Sequence, residues 1–456
     1  MSERWNGFPS LELRFGADGA ALDADLAEAA IDTVGDATDL IVLSHGWKED
    51  IESARERYDR MTASLRAELD APLETDLARR LGGRRWAVGG VFWPSKPWAP
   101  PGTVVGGAAS AGAGSPSGDL RDDLRRLDGP EEDVSQEIAE AVALVERLET
   151  DAVARRRFVE ILRGLLPTDD PESTLEIPAE LLELDGDRLL LDLAEPELPR
   201  PDVETGGAAV GSVVAAIPAA PTLDGAVGLA DLFGGARAAA RRLLNYTTYY
   251  RMKARSGVIG RRGLRPLLAA VRARRPDLRL HLVGHSFGAR LVTAAADGRR
   301  QADDEERLAP LPVDSLSLLQ GAFSHFGLAF RWGRDRQGHF RGLIDTQQVT
   351  GPILVTHTAN DTAVGVAYAL ASRLARQVAV GGAGIGDAQD RYGGIGRNGA
   401  LGLRSGEVEA GTLGPAEVRY TFRPRVVFNL RSDLIEDHGD VDRREVMHAV
   451  LAAATT

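Results

Sequence analysis

The run Leu278–Val283 (LRLHLV) leads directly into Gly284-His285-Ser286-Phe287-Gly288, and this into the small-residue segment Ala289–Ala296 (ARLVTAAA). A continuous apolar run reads as a strand buried on both faces of a sheet. The segment after it reads as a helix. Passing from strand to helix in so few residues demands a sharp, strained turn. Glycines on either side of the serine leave room for that turn and for close packing of the helix. A G-x-S-x-G in this setting projects the serine hydroxyl from the top of the sheet. In a chain with 51 glycines the bare pattern would mean little; the flanking strand and helix give it weight. Ser286 is therefore the candidate nucleophile.

The rest of the chain alternates in the same way. Asp39–Ser44 (DLIVLS) and Trp86–Trp93 (WAVGGVFW) are apolar runs on either side of a helical pattern, Ile51–Leu69, in which Ile51, Ala54, Tyr58, Met61 and Leu65 recur three or four apart. Strand, helix, strand implies a right-handed βαβ unit. After Tyr250 come a helix at Leu264–Arg274 and strands at Asp314–Leu319, Ile353–His357 and Val426–Leu430. Helices are expected at Val364–Gln377 and Glu445–Ala453. The expected fold is α/β, a mostly parallel central sheet with helices on both faces.

A long block interrupts this pattern ahead of the serine. Three segments follow: 1–94 as the first part of the core, 95–248 as an insertion rich in Gly, Pro, Ala and acidic residues, and 249–456 as the second part of the core. Within the insertion Val134–Leu165 reads as helical and Leu175–Leu193 mixes leucines with acids. The flanks Gly102–Gly118 and Gly206–Gly235 read as hinges. The block is expected to act as a lid that could be removed without unfolding the core.

A serine nucleophile needs a base, and the base an orienting carboxylate. On a sheet of this kind they follow in the chain order Ser, acid, His. Asp361 ends the segment after ILVTHT, at a strand edge, whereas Asp345 follows no clear strand; Asp361 is the candidate acid. His438 lies beyond the last strand, after VVFNLRSDLIED, and is the candidate base. His281 and His357 belong to strands and His448 to the closing helix, while His325 and His339 could line a pocket. A developing oxyanion calls for the N–H of the residue after the serine, Phe287, and one from the loop after an early strand. His45-Gly46-Trp47 follows DLIVLS, so the Trp47 N–H is the second donor, with His45 and Gly46 shaping its loop. Gly284, His285 and Gly288 support the turn itself.

Composition narrows the chemistry. A net charge of −13 argues against a nucleic-acid partner. With no cysteine, a thiolate nucleophile or thiolate metal site is excluded. No spaced metal cluster or cofactor motif stands out; the glycine-rich Gly381–Gly399 opens no βαβ unit and reads as a loop. The basic stretch Arg251–Arg279 reads as a solvated helical face. Met1–Phe15 carries no apolar leader and no spanning segment is visible, so a cytoplasmic protein without an integral membrane segment is expected.

The succession His45-Gly46, Gly284-His285-Ser286-Phe287-Gly288, Asp361 and His438 resembles the α/β-hydrolase superfamily and runs through nearly the whole chain. LSHGW, FWPSKPW, LVGHSFGAR, GAFSHF and VTHTANDTAVG resemble a sparsely characterised bacterial branch of serine esterases. The resemblance implies ester hydrolysis on a small acyl substrate with no cofactor. Amide or thioester cleavage would use the same residues. A binding scaffold on a hydrolase fold is the alternative of another class. The long block before the serine departs from the superfamily, whose lids more commonly follow the sixth strand.

Overall fold

A computed structural model describes residues 3–71, 76–96, 119–127, 134–168, 170–194, 235–299, 308, 310–361, 388, 390–432 and 434–456. Among them, nine strands form one sheet. They are β1 (Glu3–Trp5), β2 (Phe8–Arg14), β3 (Asp39–Ser44), β4 (Trp86–Phe92), β5 (Arg279–His285), β6 (Ser315–Leu319), β7 (Ile353–His357), β8 (Val408–Thr412) and β9 (Val427–Arg431). Their order is β1-β2-β4-β3-β5-β6-β7-β9-β8, and every neighbouring pair is parallel except β1 with β2. β3 and β4 are buried along their whole length and β5 at all but its first residue, so unbroken apolarity did mark strands covered on both faces. The molecule is thus α/β, with a mostly parallel sheet flanked by helices.

One face carries helices Ile51–Leu69 and Arg444–Ala454, which close an apolar cluster around Tyr58, Val450 and Phe428. The other carries Leu26–Val34, Arg265–Arg274 and the helix after the serine, Phe287–Asp297. Among the described residues no helix is long and apolar enough to cross a membrane. The expected helix Val364–Gln377 and the hinge Gly102–Gly118 lie outside the described residues, as does nearly all of Gly206–Gly235.

The block ahead of the serine is helical where it is described. Val134–Leu165 is not one helix: Ser135–Leu144 and a 3-10 turn end before Asp151, whose carboxylate accepts from the Val153 and Ala154 N–H groups and starts Ala152–Gly164. The boundary read at residue 248 falls inside the 24-residue helix Ala236–Ile259. Phe158, Leu162, Leu189 and Leu190 from the block are fully buried in the same apolar cluster as the sheet.

Charges complete the junction. The Asp170 carboxylate takes two hydrogen bonds from Arg290, at 2.8 and 3.1 Å, and one from Ser173 Oγ at 2.6 Å. Arg290 is on the helix that follows the serine and is fully buried. Burial works against the charged carboxylate, but the Arg290 guanidinium and the Ser173 hydroxyl hold the Asp170 pKa far below the usual range. Nearby, Glu176 pairs with the buried Lys253 and also accepts the Ser324 N–H at 3.2 Å. These bonds anchor the block to the core.

Candidate active site

Ser286 stands between β5 and the helix Phe287–Asp297 with φ 58° and ψ −123°. A residue with a Cβ is strained in this region, which glycine alone adopts with ease. Its N–H donates to the Leu319 carbonyl at 3.1 Å, and its own carbonyl accepts from Ala289 and Ala322, so both neighbours of the turn hold it in place. The two flanking glycines are needed for closeness: a Cβ on Gly288 would overlap the Ser44 and His45 carbonyls, and one on Gly284 would overlap the Gly288 backbone. Helix and strand meet there backbone to backbone.

His438 follows β9, and its Nδ1 lies 2.9 Å from Asp361 Oδ2, just beyond β7. A carboxylate only accepts, so Nδ1 carries the proton and Nε2 offers its lone pair. Asp361 is fully buried, and His438 is buried to 8% exposure. Next door, Asn360 donates to the Ile435 carbonyl at 3.2 Å, tying the loop of the acid to that of the histidine. Neither Ser286 Oγ nor His438 Nε2 is hydrogen-bonded to a described residue; in hydrolytic sites without substrate, contacts of this kind are often long. The rings of His438 and His285 are 4.8 Å apart, which sets the histidine beside the serine turn.

The loop after β3 closes on the same point. A Cβ on Gly46 would stand 2.6 Å from Ser286 Cβ and 3.1 Å from its Oγ, so only glycine leaves the hydroxyl free. Beyond it Lys48 takes φ 64° and its N–H donates to the Ser95 carbonyl at 3.1 Å. The Trp47 N–H has no acceptor among the described residues, and Phe287 begins its helix, where an N–H has no partner within the helix. The Trp47 ring packs on Phe287 at 5.9 Å. His45 turns away from the serine: it is buried, stacked at 5.5 Å on Trp93, and contacts the Gly46 carbonyl through Nδ1.

The remaining candidates are placed elsewhere. Asp345 pairs with Arg341 on its own helical turn. His325 contacts the Asp390 carbonyl and the Asn398 amide and so anchors the end of the glycine-rich segment, whose residues 381–387 and 389 lie outside the described ones. His448 is buried against Glu68. Of the aromatic residues whose sequence positions would allow them to line an acyl pocket or the core, Trp93 and Phe323 are core, Phe326 stacks on Trp332, and Trp98 is outside the described residues.

At the opposite end of the strands is a second serine, histidine and aspartate in hydrogen-bonding array. His281 reaches Ser315 Oγ at 2.9 Å through Nδ1 and Asp39 Oδ1 at 3.0 Å through Nε2. Each of the three is at most 1% exposed. Ser315 also lacks a positive φ and begins a strand. Three residue types in contact are therefore no site by themselves; Ser286 differs by its strained turn and its place on a loop-lined edge.

His285 was expected to do no more than support the turn. Its Nε2 lies 2.7 Å from the His438 carbonyl, so it donates a proton there. Burial, then the nearby Arg57 charge, depresses its pKa well below 6.5, and the folded ring is neutral. Below about pH 6.5 the unfolded chain binds a proton that the folded chain does not. This contribution to stability is complete above that pH and declines as pH falls, by up to about 1.4 kcal/mol per pH unit. Urea unfolding between pH 7 and pH 5 should accordingly lose stability less steeply in His285→Gln than in the native chain. Parallel slopes would contradict a neutral buried His285.

Comparison of the chain with protein-family models, with curated proteins and with solved structures found no match.

Proposed function

We propose that the protein is a serine hydrolase of the α/β-hydrolase type that cleaves a carboxylic ester. One observation carries the reading: a serine held at φ 58° on a strand-to-helix turn, with a histidine–carboxylate pair at the same edge of the sheet. The order serine after β5, acid after β7 and histidine after β9 supports it.

In this reading Ser286 Oγ attacks the carbonyl carbon and its proton passes to His438 Nε2. The resulting oxyanion is received by the N–H groups of Trp47 and Phe287, of which one donor contributes about 3–4 kcal/mol. Asp361 holds the imidazole in the required tautomer and stabilises it when charged. Collapse breaks the ester C–O bond, and the leaving alkoxide takes the proton from His438. Water, deprotonated by the same ring, then releases the acid from Ser286 and restores the hydroxyl.

A fluorophosphonate probe, followed by mass spectrometry of the labelled peptide, tests this directly. The expected result is one adduct, on Ser286, with p-nitrophenyl esters turned over faster than the matching anilides. An unlabelled, well-folded protein would point instead to a binding role on this fold. Faster anilide cleavage would keep the serine but replace the ester.

A further inference from the structure

His438 is gripped by its side chain through Asp361, but also by its backbone. The His438 carbonyl accepts from His285 Nε2 at 2.7 Å, and the next carbonyl, Gly439, accepts from Arg57 Nη1 at 3.0 Å. Arg57 is on the helix Ile51–Leu69, and its Nε donates to Glu49 Oε1 at 2.6 Å. Glu49 lies two residues beyond Trp47. Its main chain is fixed by one residue, Ser95, whose hydroxyl accepts the Glu49 N–H at 3.2 Å and donates to its carbonyl at 2.7 Å. The Arg57 and Glu49 side chains are only 13% and 10% exposed, so this pair is shielded from the screening that weakens surface ion pairs.

We infer that Arg57 is a positioning residue, which with His285 holds the His438 backbone and, through Glu49, fixes the loop of the oxyanion donors to the loop of the base. The inference rests on the Ser286–His438–Asp361 reading above. Arg57 touches no reacting atom. Its planar fork suits the task, because Nε and Nη1 point at two acceptors on different loops at once, which a single ammonium cannot match. Losing it would let the base and the donors shift relative to one another, and a displacement of about 1 Å in such a site costs about 10²-fold in rate.

The test compares native protein with Arg57→Met, Arg57→Lys and Glu49→Gln. The readouts are the rate of fluorophosphonate labelling, kcat and KM on a p-nitrophenyl ester, and the urea midpoint. In Arg57→Met, labelling rate and kcat should fall together by about 10²-fold with KM nearly unchanged. Arg57→Lys should recover about ten-fold of this, and Glu49→Gln should lie between Arg57→Lys and the native protein. The downfield Nδ1–H proton resonance of His438 should broaden in Arg57→Met while the unfolding midpoint of Arg57→Lys stays native. Labelling of folded Arg57→Met at the native rate overturns the inference, as does a loss confined to KM. Should Arg57→Met not fold, native rates in both Arg57→Lys and Glu49→Gln overturn it equally. Native protein that takes no label would instead remove the hydrolase reading itself, so the two failures are told apart.

Discussion

Replacing Ser286 by glycine is expected to abolish turnover and, at the same time, to make the protein harder to unfold. On the proposed mechanism the loss follows from removing the atom that would bond to the acyl group, and amounts to on the order of 10⁶-fold in kcat when a nucleophile of this kind is deleted. The gain follows from the backbone. At φ 58° and ψ −123° a Cβ is strained by about 1–3 kcal/mol, and glycine relieves it at a smaller entropic cost. A net stabilisation of about 1 kcal/mol is expected. Ser286→Ala provides the contrast, being equally inactive but without the gain, since its Cβ remains. Urea unfolding of the three proteins beside an ester assay decides the matter. Turnover by Ser286→Gly would remove Ser286 from the mechanism, and a destabilised Ser286→Gly would show that the turn stores no strain.

The second large effect lies away from the serine. Asp170→Leu should destabilise the protein by about 3–5 kcal/mol, because it leaves the Arg290 guanidinium buried with its principal counter-charge gone. Asp170→Leu combined with Arg290→Met should recover part of that loss, since the two apolar side chains need no partner, while the buried Arg261, 3.6 Å from the same carboxylate, still loses it. The same logic governs excision of residues 95–235. Arg290 and Lys253 would each lose a carboxylate and the core would lose Phe158, Leu162, Leu189 and Leu190, so the remainder should not fold. Urea midpoints of the single and double variants, and circular dichroism of the truncated chain, measure these outcomes. A cooperatively folded truncation would restore the removable lid that composition suggested.

How far the sequence is legible varies with the physical signal. β3, β5 and β7 stand out because a strand covered on both faces must be apolar throughout. The hairpin β1–β2 escapes notice because β1 has only three residues and β2 mixes polar with apolar side chains, although Asn6-Gly7, both at positive φ, is a hairpin turn signal. β8 exposes Ala410, Gly411 and Thr412 and offers no apolar run. Of the candidate site, Ser286, Asp361 and His438 are legible because each follows a recognisable strand in a fixed order. Arg57 and His285 are not legible in their roles: each acts through a bond to a carbonyl far along the chain, and neither spacing nor residue type announces such a partner. Asp170 and Arg290, 120 positions apart, meet only once the chain has folded.

Strand β5 ends in one serine turn at its top and carries, near its base, the sealed array of His281 with Ser315 and Asp39. A template that matches three side chains in space would rank both as hydrolytic centres. An electrophilic reagent would not, because it must arrive through solvent and its leaving group must depart the same way. On the proposed reading the two hydroxyls are told apart by place: Ser315 is sealed at 1% exposure near the base of the sheet, whereas Ser286, at 5%, stands on the loop-lined edge.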